Sequence, residues 1–205
     1  MTPTNTNRPN IGVRFGLVWT LASTGGMLIA FVAGFFVIGA AVEALTGMKA
    51  DDVLAGDGPI PFLALTVLFA IAGLGIGLAQ WLVLRRHVPR ADLWVIGTGL
   101  GFAVVAALFG LLTDVVSELV NEVVHNLVGG AVAGVVQWSI LRRHVRRSGW
   151  WVGASALGFL VAGAISDSLG GGPLGMLAGI AAMAAITGVV LLRLLRGSAP
   201  SVSAA

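Results

Sequence analysis

Charge and cysteine are what this sequence lacks most. Charged residues make up 10% of its 205 residues, whereas a soluble domain carries about a quarter, so the chain could not cover a water-facing surface. Without cysteine it cannot form a disulfide, a thiolate nucleophile or a cysteine-ligated metal site. P-loop, GxSxG, HExxH and CxxC motifs are also missing, and we therefore predict no enzymatic activity.

Apolar residues, in contrast, form long runs. Hydrophobic residues are 57% of the chain, and the mean hydropathy is +0.97. A bilayer core about 30 Å thick requires roughly 20 apolar residues in a helix. Six stretches meet this requirement: Phe15–Ala41, Pro61–Leu84, Leu93–Leu112, Val123–Leu141, Trp150–Ile165 and Leu174–Leu192.

These stretches predict an all-α integral membrane protein of six transmembrane helices. We expect one membrane domain over residues 13–196, built from hairpins at approximately 15–84, 93–141 and 150–196. The tails at 1–12 and 197–205 are rich in Thr, Asn, Pro, Ser and Ala. Such a composition predicts disorder.

Basic and acidic residues fall on opposite sides of the six stretches. Eleven of the twelve Lys and Arg residues lie on one side, and eight of the nine acids lie on the other. Because cytoplasmic loops carry the excess of positive charge, this partition predicts cytoplasmic N- and C-termini in a bacterial inner membrane. It also explains the net charge of +3 without a nucleic-acid partner.

Arginines cluster in two loops that contain Arg-Arg-His-Val. We interpret them first as determinants of topology. They are also expected to contact anionic lipid headgroups, and the residues concerned are Arg85, Arg86, Arg90, Arg142, Arg143, Arg146 and Arg147.

An internal repeat contains both loops. Residues 77–102 align without a gap with residues 134–159 and share Gln-Trp, Leu-Arg-Arg-His-Val and a later Trp. Fainter copies begin at Trp19 and Gly188, so we predict three tandem helical hairpins in a pseudo-threefold arrangement. The Gln-Trp-x-x-Leu-Arg-Arg-His-Val run resembles a motif of uncharacterised multi-pass proteins of bacteria. That resemblance covers the middle of the chain and implies no activity.

Small residues recur four apart on every predicted helix. This spacing lets membrane helices approach closely, and it predicts a tightly packed cytoplasmic half. The twelve positions are Ala22, Gly26, Gly73, Gly77, Gly97, Gly101, Gly130, Gly134, Ala154, Gly158, Ala184 and Gly188.

Polar residues accompany the tryptophans of the repeat. Gln80 and Gln137 precede two of them and are expected to bond to a neighbouring helix end. Ser23, Thr98 and Ser155 follow three others and could ring a central axis, although bonds to their own or neighbouring helices are commoner. All six tryptophans are expected to form an aromatic belt at the inner interface.

The turn after the third stretch carries the most unusual polar set. Asp114, Glu118, Glu122 and His125 recur at intervals that would place them on one face of a continuous helix. Carboxylates and imidazole could bind a divalent cation, or His125 could ligate a haem- or chlorophyll-type ring. A solvated acidic lip is the alternative interpretation.

Three functional hypotheses follow. The first is an accessory or scaffold subunit that contacts other membrane subunits or a second copy, because small residues mark every helix and no ionisable residue lies near mid-membrane. The second is a small-solute or ion transporter built on the repeats. The third is a metal- or tetrapyrrole-binding subunit that uses the acidic turn.

Overall fold

The computed structural model describes residues 12–49, 52, 56, 58–89 and 91–197. Within these ranges the chain forms six α-helices and no β-strand: α1 Val13–Thr46, α2 Pro59–Leu84, α3 Leu93–Leu112, α4 Glu118–Leu141, α5 Trp150–Ser168 and α6 Pro173–Gly197. All six are long and apolar enough to cross a membrane, which confirms the predicted all-α integral membrane fold. Apart from residues 12 and 197, the predicted tails lie outside the described residues.

Glycine and proline set several helix ends. α1 continues past its predicted end at Ala41, because helix-forming residues follow as far as Thr46. It stops at Gly47, whose φ of 71° lies in the left-handed region that glycine adopts without strain. α2 and α6 begin at Pro59 and Pro173, since proline suits the first turn of a helix.

The six helices form a closed ring. Each helix packs against the helices before and after it in the chain, and α1 packs against α6; no other pair of described helices comes close along its backbone. We call the end with the two Arg-Arg-His-Val loops the arginine-rich end. The opposite end, with the turns at 113–117 and 169–172, is the acidic end. The pseudo-threefold arrangement of the hairpins stays a prediction.

Glycines bring the helix backbones into contact. A Cβ atom added at Gly26 would lie 2.7 Å from the Gly75 carbonyl oxygen, and one added at Gly77 would lie 2.8 Å from Val95 Cα. Each of the nine glycines in the predicted packing set would place a Cβ 3.1 Å or less from another helix. Of the three alanines, Ala154 and Ala184 are buried and Ala22 is partly buried.

Close packing is not confined to the arginine-rich half. Near the acidic end, a Cβ at Gly175 would lie 2.6 Å from the Ser166 carbonyl oxygen, and Gly179 lies against the Ala162 carbonyl. α5 and α6 therefore pack closely near the acidic end as well, which the sequence pattern did not predict. The repeat motif contains the glycines near the tryptophans, but it does not contain Gly175 or Gly179.

An apolar groove of about 280 Å³ lies between α1 and α6 towards the acidic end. No glycine, alanine or serine lines it, so it lacks the small residues by which membrane helices pack together. Its walls are formed by Met27, Leu28, Phe31, Val32, Phe35, Phe36, Pro173, Met176 and Leu177.

Candidate functional site

Three tryptophans, one each from α1, α3 and α5, meet inside the ring near its arginine-rich end. Trp19, Trp94 and Trp151 are no more than 1% exposed, and their ring centroids lie between 5.1 and 6.4 Å apart. We call them the tryptophan centre. The expected belt of six tryptophans is wrong for these three, because their position along the chain predicts their depth but not the side of the helix they occupy.

A chain of hydrogen bonds links the tryptophan centre to α2. The Trp94 indole N–H donates to Gln80 Oε1 at 2.8 Å, and the Gln80 amide donates to Ser23 Oγ at 3.0 Å. Ser23 Oγ in turn donates to the Trp19 carbonyl at 2.8 Å. Gln80 is buried. It bridges α1 and α3 in the interior of the ring and does not bond to a helix end as expected.

The matched glutamine of α4 makes the same connections. The Trp151 indole N–H donates to Gln137 Oε1 at 2.8 Å, and the Gln137 amide donates to Thr98 Oγ1 at 2.8 Å. Thr98 Oγ1 donates to the Trp94 carbonyl at 2.9 Å. The third odd-helix residue, Ser155, is likewise buried.

α6 has no glutamine to offer the tryptophan centre. The sequence repeat places Leu191 at the matched position, and the Trp19 indole N–H donates instead to Thr187 Oγ1 at 3.3 Å. This is the longest of the three indole bonds. At this level, the contact between α1 and α6 thus has a weaker hydrogen bond than the contacts between α2 and α3 and between α4 and α5.

Aromatic and apolar side chains fill the next layer. Met27, Phe102 and Phe159 lie two turns beyond the tryptophans and are all buried, with the two phenylalanine centroids 4.9 Å apart. No ionisable group belongs to either layer. Together they fill the arginine-rich half of the ring with uncharged side chains.

A second polar group lies on α4 near the acidic end. Three of its side chains are at most 7% exposed, and the fourth is partly buried. The repeat places Ala64, Leu65, Leu68 and Phe69 at the matched positions of α2. We call this group the α4 polar cluster, and it consists of Asn121, Glu122, His125 and Asn126.

Asn126 determines the proton position on His125. Its amino nitrogen lies 3.0 Å from the Glu122 carbonyl oxygen and 3.0 Å from His125 Nε2. Because an amino group donates to both, Nε2 accepts and the neutral ring carries its proton on Nδ1. Phe109 stacks edge-on against the imidazole at 5.2 Å, and Asn126 lies against Gly163 of α5. Sequence reasoning missed Asn126, although a matched phenylalanine in α2 marks it as unusual.

Two polar atoms of the α4 polar cluster have no partner. Asn121 Nδ2 donates to the Phe109 carbonyl at 3.0 Å, but its Oδ1 is unpaired, as is His125 Nδ1. The backbone carbonyl of Asn121 lies near the His125 imidazole but does not reach hydrogen-bond geometry. These are the only buried side-chain N or O atoms without a partner among the described residues. A donor and an acceptor one helical turn apart thus remain unsatisfied.

Carboxyl groups lie beside the α4 polar cluster. The Glu122 side chain lies near Asp167, in the last turn of α5, and near Glu118. Asp167 also interacts electrostatically with His125. Since Asp167 and Glu118 are exposed, the cluster is reached from the acidic end. The sequence did not indicate Asp167 as part of this group, because the residue lies on another helix.

One of the four predicted metal or ring ligands is separated from the other three. Asp114 lies in the turn between α3 and α4, whereas Glu118, Glu122 and His125 lie on α4. The assumption of one continuous helix is wrong, because the chain leaves the helix after Leu112 and starts again at Glu118. Among the described residues no three His, Asp or Glu side chains form a group that could hold a metal ion.

The arginine loops repeat their local contacts. Arg85 lies 4.9 Å from the Trp81 ring centroid and Arg142 lies 5.0 Å from that of Trp138, both as cation–π pairs. The other loop arginines expected to contact lipid are exposed: Arg86, Arg143, Arg146 and Arg147. Arg90 lies outside the described residues.

Comparison with protein-family models, with curated proteins and with solved structures found no match to this chain.

Proposed function

We propose that this integral membrane protein is a non-catalytic accessory or scaffold subunit that binds a partner at its acidic end. The observation that carries the proposal is the unpaired donor and acceptor of the α4 polar cluster, His125 Nδ1 and Asn121 Oδ1. Each such buried group costs about 1–3 kcal/mol when unpaired, and native proteins pair nearly all of them. Both atoms are buried, so a partner that contacts the exposed Glu118 and Asp167 beside them would pair them through a shift of the side chains that cover them.

The tryptophan centre supports a non-conducting role. Its three indoles are buried, mutually packed and hydrogen-bonded, and the layer above it is apolar. A transporter needs a polar route or an ionisable relay across the membrane. A ring filled in this way offers neither, which disfavours the transporter hypothesis.

The α4 polar cluster favours a hydrogen-bonding partner over a metal or a tetrapyrrole. His125 Nε2 is already engaged by Asn126, and only Nδ1 remains. The separation of Asp114 from α4 removes one of the expected carboxylate ligands. The proposed location is a bacterial inner membrane with both termini in the cytoplasm, supported by the partition of arginines and acids.

Site-specific photo-crosslinking in native membranes tests the proposal. A photoreactive amino acid in place of Glu118, exposed beside the cluster, should give a discrete adduct with one partner protein. The same probe in place of Leu100, a lipid-facing residue of α3 that is 46% exposed, should give none.

The repeat supplies a matched variant that removes the unpaired atoms. Asn121→Ala with His125→Leu gives α4 the residues that α2 carries at the matched positions, and it should abolish the adduct while the protein stays monodisperse. A lone protein with no adduct from position 118, or an adduct unchanged in the double variant, would contradict the proposal.

A further inference from the structure

The two arginine loops are alike in sequence but differ at one surface. Over the first turn of the following helix, Asp92, Leu93 and Ile96 of the first loop correspond to Gly149, Trp150 and Gly153 of the second. Compared with the first loop, the second therefore lacks an acid and two aliphatic side chains, and it carries an aromatic ring in place of one of them.

These changes open a notch at the start of α5. It is a shallow depression, largely open to solvent, and it is lined by Arg147, Gly149, Trp150 and Gly153. Trp150 is 74% exposed, unlike the buried Trp151 beside it. A Cβ atom added at either glycine would meet no atom within 4 Å, and Gly149 has an ordinary helical φ of −58°. Neither packing nor backbone conformation therefore requires these glycines.

Arg147 is strained at the same place. Its φ of 56° makes it the only non-glycine residue with a positive φ in the described part of the chain. An L-residue in this region costs on the order of 1 kcal/mol relative to glycine. Strain of this kind persists where the side chain has a function, and here the side chain is a guanidinium beside an open notch.

We propose that the second loop, and not the first, holds a specific site for an anionic phospholipid. The Arg147 guanidinium binds the phosphate as a charge-assisted pair, and Trp150 packs beside the glycerol region, where tryptophan rings prefer to lie. Gly149 and Gly153 leave room for the lipid to lie against α5. The first loop lacks such a site because Asp92 repels the phosphate and Ile96 fills the space. This site is independent of the partner proposed for the acidic end.

Native mass spectrometry of the full chain in detergent, titrated with phosphatidylglycerol and with phosphatidylcholine, tests this site. Wild type should retain phosphatidylglycerol preferentially. Arg147→Gly, which removes the charge and relieves the strain, should weaken its binding about tenfold, the equivalent of about 1.4 kcal/mol. Arg86→Gln, which removes one exposed charge outside the notch, should change it less than about twofold, since a single exposed ion pair contributes little.

A second variant separates the notch from the charge. Gly153→Ile restores the residue of the first loop and keeps every arginine, and it should weaken phosphatidylglycerol binding about as much as Arg147→Gly. Equal losses in Arg147→Gly and Arg86→Gln, or unchanged binding in Gly153→Ile, would overturn the proposal in favour of nonspecific attraction. Displacement of the lipid by millimolar inorganic phosphate would overturn it in favour of a free phosphate site.

Discussion

The two ends of the ring treat buried polar groups in opposite ways. At the arginine-rich end, Gln80 and Gln137 join indole N–H groups to hydroxyls on neighbouring helices. At the acidic end, Asn121 and His125 each keep one buried atom unpaired. The same helical framework therefore carries a fully hydrogen-bonded network at one end and, at the other, a polar cluster with two buried unpaired atoms.

The largest expected difference concerns the tryptophan centre. Trp94→Ala should lower the free energy of unfolding by about 3–5 kcal/mol, because it removes a fully buried ring and leaves Gln80 without its donor. Trp150→Ala, at a ring that is 74% exposed, should change it by less than about 0.5 kcal/mol. Unfolding of both variants in detergent with SDS, followed by circular dichroism, would measure this. Equal losses would mean that the tryptophan centre is not a stabilising element.

Backbone contact between α3 and α4 should have the next largest effect. A Cβ at Gly101 would lie 2.5 Å from Ala133 Cβ and 2.9 Å from the Gly129 carbonyl oxygen. Gly101→Leu should therefore destabilise the protein by about 3 kcal/mol through overpacking. Gly25→Leu is the matched control, since no atom lies within 4 Å of its added Cβ. Thermal unfolding that fails to separate these two variants would refute close packing at this pair.

Loss of one glutamine bridge should cost less. Gln137→Leu leaves the Trp151 N–H without its acceptor and the Thr98 hydroxyl without its donor, and we expect a loss of about 1–2 kcal/mol. The expectation would fail if Gln137→Leu were as stable as wild type, and Leu191 of α6 would then show that leucine suits this position in any helix.

The smallest effect should have the opposite sign. The double variant Asn121→Ala with His125→Leu removes two unpaired buried atoms, and it also removes the hydrogen bonds from Asn121 to Phe109 and from Asn126 to His125. Because we expect the cost of the unpaired atoms to be the larger, the isolated protein should become more stable by about 1 kcal/mol or less. A clear destabilisation in the same SDS assay would mean that the hydrogen bonds within the chain outweigh that cost. Replacing a buried polar side chain with an apolar one would then lower the stability of the protein at both ends of the ring.

Much of the fold follows from local properties that the sequence displays. Apolar length predicts the six helices, and Gly47 and Pro59 mark where α1 ends and α2 begins. The sequence shows less clearly which face of each helix packs inside the ring, because mean hydropathy is nearly the same all round a membrane helix. For that reason the burial of Trp19 could not be predicted, although its depth could.

The candidate site was only half predictable for a related reason. Glu122 and His125 stand out in an apolar sequence, so the sequence draws attention to the start of α4. Asp167 lies near them only because α5 packs on α4. Asp114 is separated from them because it lies in the turn between α3 and α4. Spacing within one segment predicts neighbours on one helix, but it cannot predict neighbours on two.

The bond between Trp19 and Thr187 also has a consequence for biogenesis. The two residues are 168 positions apart, and at about 5–20 residues per second the ribosome makes α6 roughly 10–30 seconds after α1. During that interval the first helix lies in the bilayer without the last one, and its indole N–H has no acceptor on α6. Synthesis of the last helix therefore completes the ring, and a nascent chain that stops before it leaves α1 without this neighbour.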